Sequence, residues 1–328
     1  MAFHHKIGDR IVSSAPARTI IRGSKAVYIP GFKGYSLFEV WPIFLKRLRR
    51  TSLFERAAAI SFNVFMAIPP TLIFIFTLIP YMPISDKFLH ELFGLIRDIV
   101  PGEKNNSIII DFLNDFLTKP RNELLSFGLL LAIIFSSNAM MGVMRSFDKN
   151  YPGFKKRGSI RKRQTALLLT LIIFVLVFGL ILLLVAQSVV LEALGVEIDW
   201  VRYTISNFRW VLIALLILYM VSFIYRYAPA LIIRWPYTTP GSIFATTLMI
   251  IATLSVSFWV NHFNNYNQVY GSISAVFILM LLIYANSLAL LIGFELNVTI
   301  TNLTRKTAEK NEQVLEGDER LKENSNGT

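Results

Sequence analysis

Six apolar stretches, each about long enough to cross a lipid bilayer, divide this chain, and its Lys and Arg residues fall mostly into alternate gaps between them. Lys and Arg number 11 in residues 1–56, 8 in 145–165, 2 in 226–240 and 5 after residue 298, against 5 in 80–123, 2 in 190–209 and none in 261–271. Cytoplasmic loops carry the excess of basic residues in polytopic proteins. The first set, 26 of the 33, is therefore expected inside, and both termini with it. Only helices and closed barrels can satisfy every backbone group inside hydrocarbon, and the alternating strands of about ten residues that a barrel needs are missing. The expected fold class is all-α, a polytopic membrane protein with six transmembrane helices plus interfacial amphipathic helices.

A helix needs roughly 20 apolar residues to cross the hydrocarbon. That requirement places the spans at 57–79, 124–144, 166–189, 210–225, 243–260 and 274–297. Residues 1–50 form a basic N-terminal segment without the early apolar run of a cleavable signal peptide. Within it, Tyr35, Leu37, Phe38, Val40, Trp41, Phe44 and Leu45 give way to Lys46, Arg47, Arg49 and Arg50, the pattern of a helix lying on the inner membrane surface. The transmembrane domain takes in 51–300. Its long outer loop, 80–123, carries two amphipathic helical patterns separated by Pro101 and Gly102, read as an interfacial cover. Residues 301–328 turn polar and are expected to be a disordered cytoplasmic tail.

Composition narrows the function classes. A content of 54% hydrophobic residues is more than a soluble domain of 328 residues needs for its core. The formal charge of +12 sits beside the spans, where it sets orientation and attracts anionic lipid headgroups, so no specific nucleic acid is expected as a partner. The chain has no Cys, which removes disulfides, thiolate metal sites and a cysteine nucleophile. His90-Glu91 lacks the second His of a zincin, and no P-loop, dinucleotide fingerprint, nucleophile elbow or EF-hand occurs. No catalytic residue, metal or cofactor is expected.

Polar residues in and beside the spans are the better candidates, because a charge at the bilayer centre costs about 2.5–3.5 kcal/mol even on the lenient insertion scale. Glu295 falls near the inner end of the sixth span, at the depth where Arg145 ends the second span and Arg226 the fourth. An ion pair between Glu295 and one of those arginines is the expected structural role, with a gate or headgroup site as the functional one. Asn138, Gly142 and Arg145 share one face of the second span, and Asn286, Gly293 and Asn297 one face of the sixth; small and amide residues so placed mediate helix contact. Pro69 and Pro70 are expected to break or kink the first span, with Asn63 two turns earlier. The outer turn 261–270 holds five amides beside His262, with Tyr266 and Tyr270 fitting an aromatic interface belt and Gly271 following.

Several of these segments recur together in a known family. Tyr225-Arg226-Tyr227-Ala228-Pro229, Pro240-Gly241-Ser242, Tyr270-Gly271-Ser272-Ile273-Ser274-Ala275 and Gly293-Phe294-Glu295-Leu296-Asn297, with Ala57-Ala58-Ala59-Ile60-Ser61-Phe62 upstream, resemble the ordered signatures of the YihY/virulence factor BrkB family. The likeness covers about residues 50–300. The chain departs from it at Phe294, where many members carry Ala, and at Asn63, where an aromatic is usual. The resemblance implies a multi-pass protein of the bacterial inner membrane. With the basic inner surface, it favours transport or flipping of a lipid or other amphiphile in envelope biogenesis, membrane lipids being the partners. A membrane scaffold or regulator without transport is the alternative. Some members carry a tRNA-processing ribonuclease label, for which this chain shows no carboxylate–histidine cluster. Oligomeric state is left open.

Overall fold

A computed structural model of the chain describes residues 34–81, 122–148, 154, 157–193, 199–262 and 273–326. Seven helices account for nearly all of them: α1 (Leu37–Arg50), α2 (Leu53–Leu78), α3 (Asn122–Phe147), α4 (Ser159–Ala193), α5 (Asp199–Tyr227), α6 (Pro240–His262) and α7 (Ile273–Asn326). Among the described residues there is no strand, only an isolated bridge between Phe154 and Leu231. Helices α2 to α7 are each long and apolar enough to cross a membrane, so the protein is a multi-pass membrane protein. Their flanks explain the apolar side chains left exposed along them, among them Phe62, Leu168, Val175, Phe258 and Phe277. Lipid is as good a solvent as protein for these groups.

The helices outlast the apolar stretches that predict them, because polar residues at each end still favour the helical backbone. Pro69 and Pro70 do not end α2. Helices in membranes tolerate proline where neighbouring groups and local adjustment re-satisfy the freed backbone carbonyls. The tail also differs from expectation. Instead of becoming disordered, α7 continues to Asn326, exposed from Arg305 through Glu316. Residues 305–316 are rich in Lys, Glu and Gln, good helix formers, and Arg305 pairs with Glu309 one turn on at 3.2 Å. The amphipathic patterns of the outer loop lie outside the described residues, as do Tyr266, Tyr270 and Gly271; His262 ends α6.

Two compact units divide the chain. The first takes in Met1–Ala58, Phe147–Lys156 and Leu176–Thr328. Its core is made where α1 lies on α7: Val40 and Phe44, one turn apart, are buried against Leu296 and Ile300, with Leu48, Phe244, Ile292 and Leu303 around them. The start of α1 is fixed by Ser36 N–H donating to Glu39 Oε2 at 3.0 Å, and the Tyr35 hydroxyl donates to Thr307 Oγ1 at 2.7 Å, tying that end to α7. The second unit takes in Ala59–Ser146 and Arg157–Val175. There α2 and α3 approach through small residues. A methyl on Gly128 would meet the Phe74 backbone at 3.3 Å and one on Gly142 the Asn63 amide at 3.1 Å, while Ala132 and Ala139 are buried.

Candidate functional site

In the first unit the chain gathers its buried charge around Glu295. This carboxylate is fully buried, 0% exposed, near the middle of α7. Arg47 Nε donates to its Oε2 and Arg56 Nη1 to its Oε1, each at 2.7 Å. Both bonds are charge-assisted and short. They offset the several kcal/mol that removing a carboxylate from water costs. Local sequence explains how the arginines arrive. Val40, Phe44 and Arg47 follow i, i+4, i+7 spacing, so the stripe that seats α1 on α7 also delivers the Arg47 guanidinium. Thr51 ends the helix by donating both its N–H and its hydroxyl to Arg47 O, the latter at 2.9 Å. Two residues later α2 begins, and Arg56 lies in its first turn. Three helices thus meet at one acid. Two guanidiniums share this carboxylate, one on each oxygen. Arg56 is 8% exposed and Arg47 18%, so Arg47 has the easier path to solvent.

The expected pairing of Glu295 with Arg145 or Arg226 is replaced by this arrangement. Arg145 is exposed in the second unit. Arg226 Nη1 donates to Trp235 O at 2.6 Å, and its guanidinium lies 4.1 Å from the centre of the Tyr237 ring. The Trp235 indole in turn donates to Thr301 Oγ1 at 3.0 Å. Arg226 therefore fastens the α5–α6 connection, and that connection is fastened to α7. Removing its charge with Arg226→Gln is expected to cost roughly 2–4 kcal/mol, the sum of one hydrogen bond from a charged group and one partly exposed cation–π contact. Chemical unfolding in detergent would measure it.

Behind Glu295, the Phe294 ring stacks on Phe147 with centroids 4.0 Å apart and is edged by Tyr225, Trp235 and Phe154. The Tyr225 hydroxyl donates to Leu290 O at 2.5 Å. The aromatic at 294 thus fills a core position.

The amides named by the sequence all make helix contacts. Asn297 Oδ1 accepts from Gly241 N–H at 2.9 Å, and its Nδ2 donates to Thr239 Oγ1 at 2.8 Å. Thr239 caps α6: its Oγ1 accepts from Ser242 N–H at 3.1 Å, while its own N–H donates to Ser242 Oγ at 3.0 Å. With Pro240 supplying no donor at the first helical position, the start of α6 is saturated by its own cap and one α7 side chain. Losing the Asn297 amide leaves a buried N–H without an acceptor, so Asn297→Ala should lower stability by about 1–3 kcal/mol in the same unfolding assay. Asn286 Nδ2 reaches Thr253 Oγ1 at 3.3 Å, and Asn63 donates to Ala59 O at 2.7 Å within its own helix. Asn138 accepts from Arg163. Among the described residues no group of three or more His, Asp or Glu gathers in a way that could hold a metal ion.

Comparison with known proteins agrees with the residues just described. Residues 44–316 match the sequence pattern of a family described as virulence factor BrkB. A putative ribonuclease-like protein, YfkH of Bacillus subtilis (strain 168), is 29% identical over 265 residues, 78% of this chain and 94% of that protein. A UPF0761 membrane protein of Xanthomonas axonopodis pv. citri (strain 306) is 24% identical over 259 residues, 76% of this chain but 58% of its own length. The alignment thus spans little more than half of the Xanthomonas relative. No solved structure matches.

Proposed function

The chain belongs to the virulence factor BrkB family, and from that premise we propose that it moves an anionic lipid or amphiphile across the bacterial inner membrane, with both termini in the cytoplasm. The observation that supports this reading is the pair of arginines held on Glu295. Arg47 and Arg56 share this carboxylate, so one of them can turn to another negative group while the other keeps Glu295 paired. Arg47, the more exposed partner, exchanges Glu295 for the phosphate of a headgroup, while Arg56 keeps Glu295 neutralised. The cycle ends when the headgroup leaves and Glu295 recaptures Arg47. In this scheme the acid acts as a resident competitor that keeps affinity low enough for release.

The test is movement of a fluorescent phosphatidylglycerol analogue in proteoliposomes. Arg47→Gln leaves the Arg56–Glu295 ion pair in place and is expected to fold. Its transfer rate should fall about tenfold or more, the worth of a hydrogen bond from a charged donor. A folded Arg47→Gln protein that moves the analogue at the wild-type rate would contradict the scheme. The scaffold reading has its own support in the exposed part of α7 after Arg305, where Val314 and Leu315 are 55% and 63% exposed. If wild-type proteoliposomes move no lipid and removal of 305–328 abolishes co-purification of a partner protein, that reading replaces the first.

A further inference from the structure

The basic residues of α1 are split between two faces. Arg47 turns inward to Glu295, while Lys46, Arg49 and Arg50 are exposed. With Pro42 and Leu45 these three line a shallow concavity of about 380 Å³. Positions 42, 45, 46, 49 and 50 repeat at three and four residues, so they form one continuous strip along the helix. Its first half is apolar and its second half cationic. Among the described residues Lys46, Arg49 and Arg50 form no ion pair, and Glu39, the acid of α1, is engaged by Ser36 N–H. Phe38, Trp41 and Ile43 are 40%, 43% and 45% exposed on the same helix, although Val40 and Phe44 already seat it on α7. Cations in a last helical turn are favoured by the helix dipole alone. That accounts for the charges but not for the apolar floor beside them.

We propose that this strip of α1 is a binding site for the headgroup of an anionic phospholipid, the phosphate lying between Lys46, Arg49 and Arg50 and the glycerol and first methylenes on Leu45 and Pro42. The concavity is near the lower end of small-ligand sites, the size of a headgroup and not of a whole lipid. Trp41 and Phe38 suit the interfacial depth such a headgroup occupies. Because α1 is held rigidly against α7, a bound lipid stays beside the Glu295 cluster. The site does not depend on transport, and it would serve a scaffold equally well.

The experiment uses the full-length protein purified in neutral detergent, with phosphatidylglycerol and phosphatidylcholine titrated separately and bound lipid counted by native mass spectrometry. Wild type should hold phosphatidylglycerol and release phosphatidylcholine. Three cations near an anionic lipid each contribute about fivefold, so Lys46→Gln/Arg49→Gln/Arg50→Gln should weaken phosphatidylglycerol binding about 100-fold. The charge-conserving Lys46→Arg/Arg49→Lys/Arg50→Lys should retain it. Equal phosphatidylglycerol binding by a folded glutamine variant overturns the site, as does equal retention of phosphatidylcholine by wild type. Displacement of the lipid by an equimolar amount of inorganic phosphate overturns it too, since the apolar floor would then count for nothing. If the glutamine variant fails to fold, salt decides on the wild type: phosphatidylglycerol retention must fall as ionic strength rises, and indifference to salt overturns the site.

Discussion

Replacing Glu295 with glutamine is expected to destabilise the protein by about 3–5 kcal/mol, the cost of removing one partner from a buried ion pair. Glutamine preserves the shape of the side chain, so the loss is electrostatic. Arg56, 8% exposed, loses its 2.7 Å bond to the carboxylate with its charge largely out of water. Arg47 is partly relieved, because at 18% exposure it can turn toward solvent. The order of damage follows: Glu295→Gln most, Arg56→Gln next, Arg47→Gln least. Removing either arginine leaves Glu295 the other one, whereas removing the acid takes the carboxylate from both arginines. A thermal midpoint in detergent, measured for all three variants, checks both the size and the order. An Arg47→Gln protein less stable than Glu295→Gln would contradict this order.

The second large effect is expected at the contact of α6 with α7. A methyl on Gly241 would lie 2.5 Å from Asn297 Oδ1 and overlap Gly293 O, and one on Gly293 would lie 2.6 Å from Ala245 Cβ and overlap Gly241 O. Two opposing forces act on a Gly→Ala change here. Helix propensity favours Ala by about 1 kcal/mol. Overpacking typically costs 1–3 kcal/mol and more when the obstacle cannot rotate away, and here the obstacles include backbone carbonyls. Overlap wins: the helices must separate, and the bond from Gly241 N–H to Asn297 is lost with the fit. Gly241→Ala or Gly293→Ala should therefore lower stability by roughly 3 kcal/mol, about 4 °C in thermal midpoint for a chain of 328 residues. A variant as stable as wild type would show that the two helices are not packed backbone to backbone.

These two sites also show how far the sequence could be read. Hydrophobic length located the six spans, because hydrocarbon thickness is a single constraint that acts on every one of them. Glu295 was recognisable as unusual for the same reason. Its partners were not, since matching by depth considered the arginines that end spans and overlooked Arg56, which begins one. Arg47 had a signal of its own: it shares a stripe with Val40 and Phe44, and a cation on the buried stripe of an amphipathic helix points to an acid beneath. Asn297 and Gly293 were placed on one helix face, yet the cap that Asn297 completes belongs to Thr239 and Ser242, more than 50 positions away. Only folding brings those groups together. Beyond 305 the polar composition concealed a helix, because low hydrophobicity reports on burial and says little about local propensity. Pro69 and Pro70, two breakers in a row, lie inside α2 without ending it.

The most direct test of the charge cluster is a double-mutant cycle between Arg56 and Glu295, using Arg56→Gln, Glu295→Gln and the double variant unfolded in the same detergent. If the two side chains compensate each other in a buried site, the double variant should be more stable than the sum of the single losses predicts, by at least about 1 kcal/mol, within the range of coupling seen for residues in direct contact. Strictly additive losses would mean that Glu295 and Arg56 do not share their charge. The account of a shared charge cluster built from α1, the start of α2 and α7 would then fail.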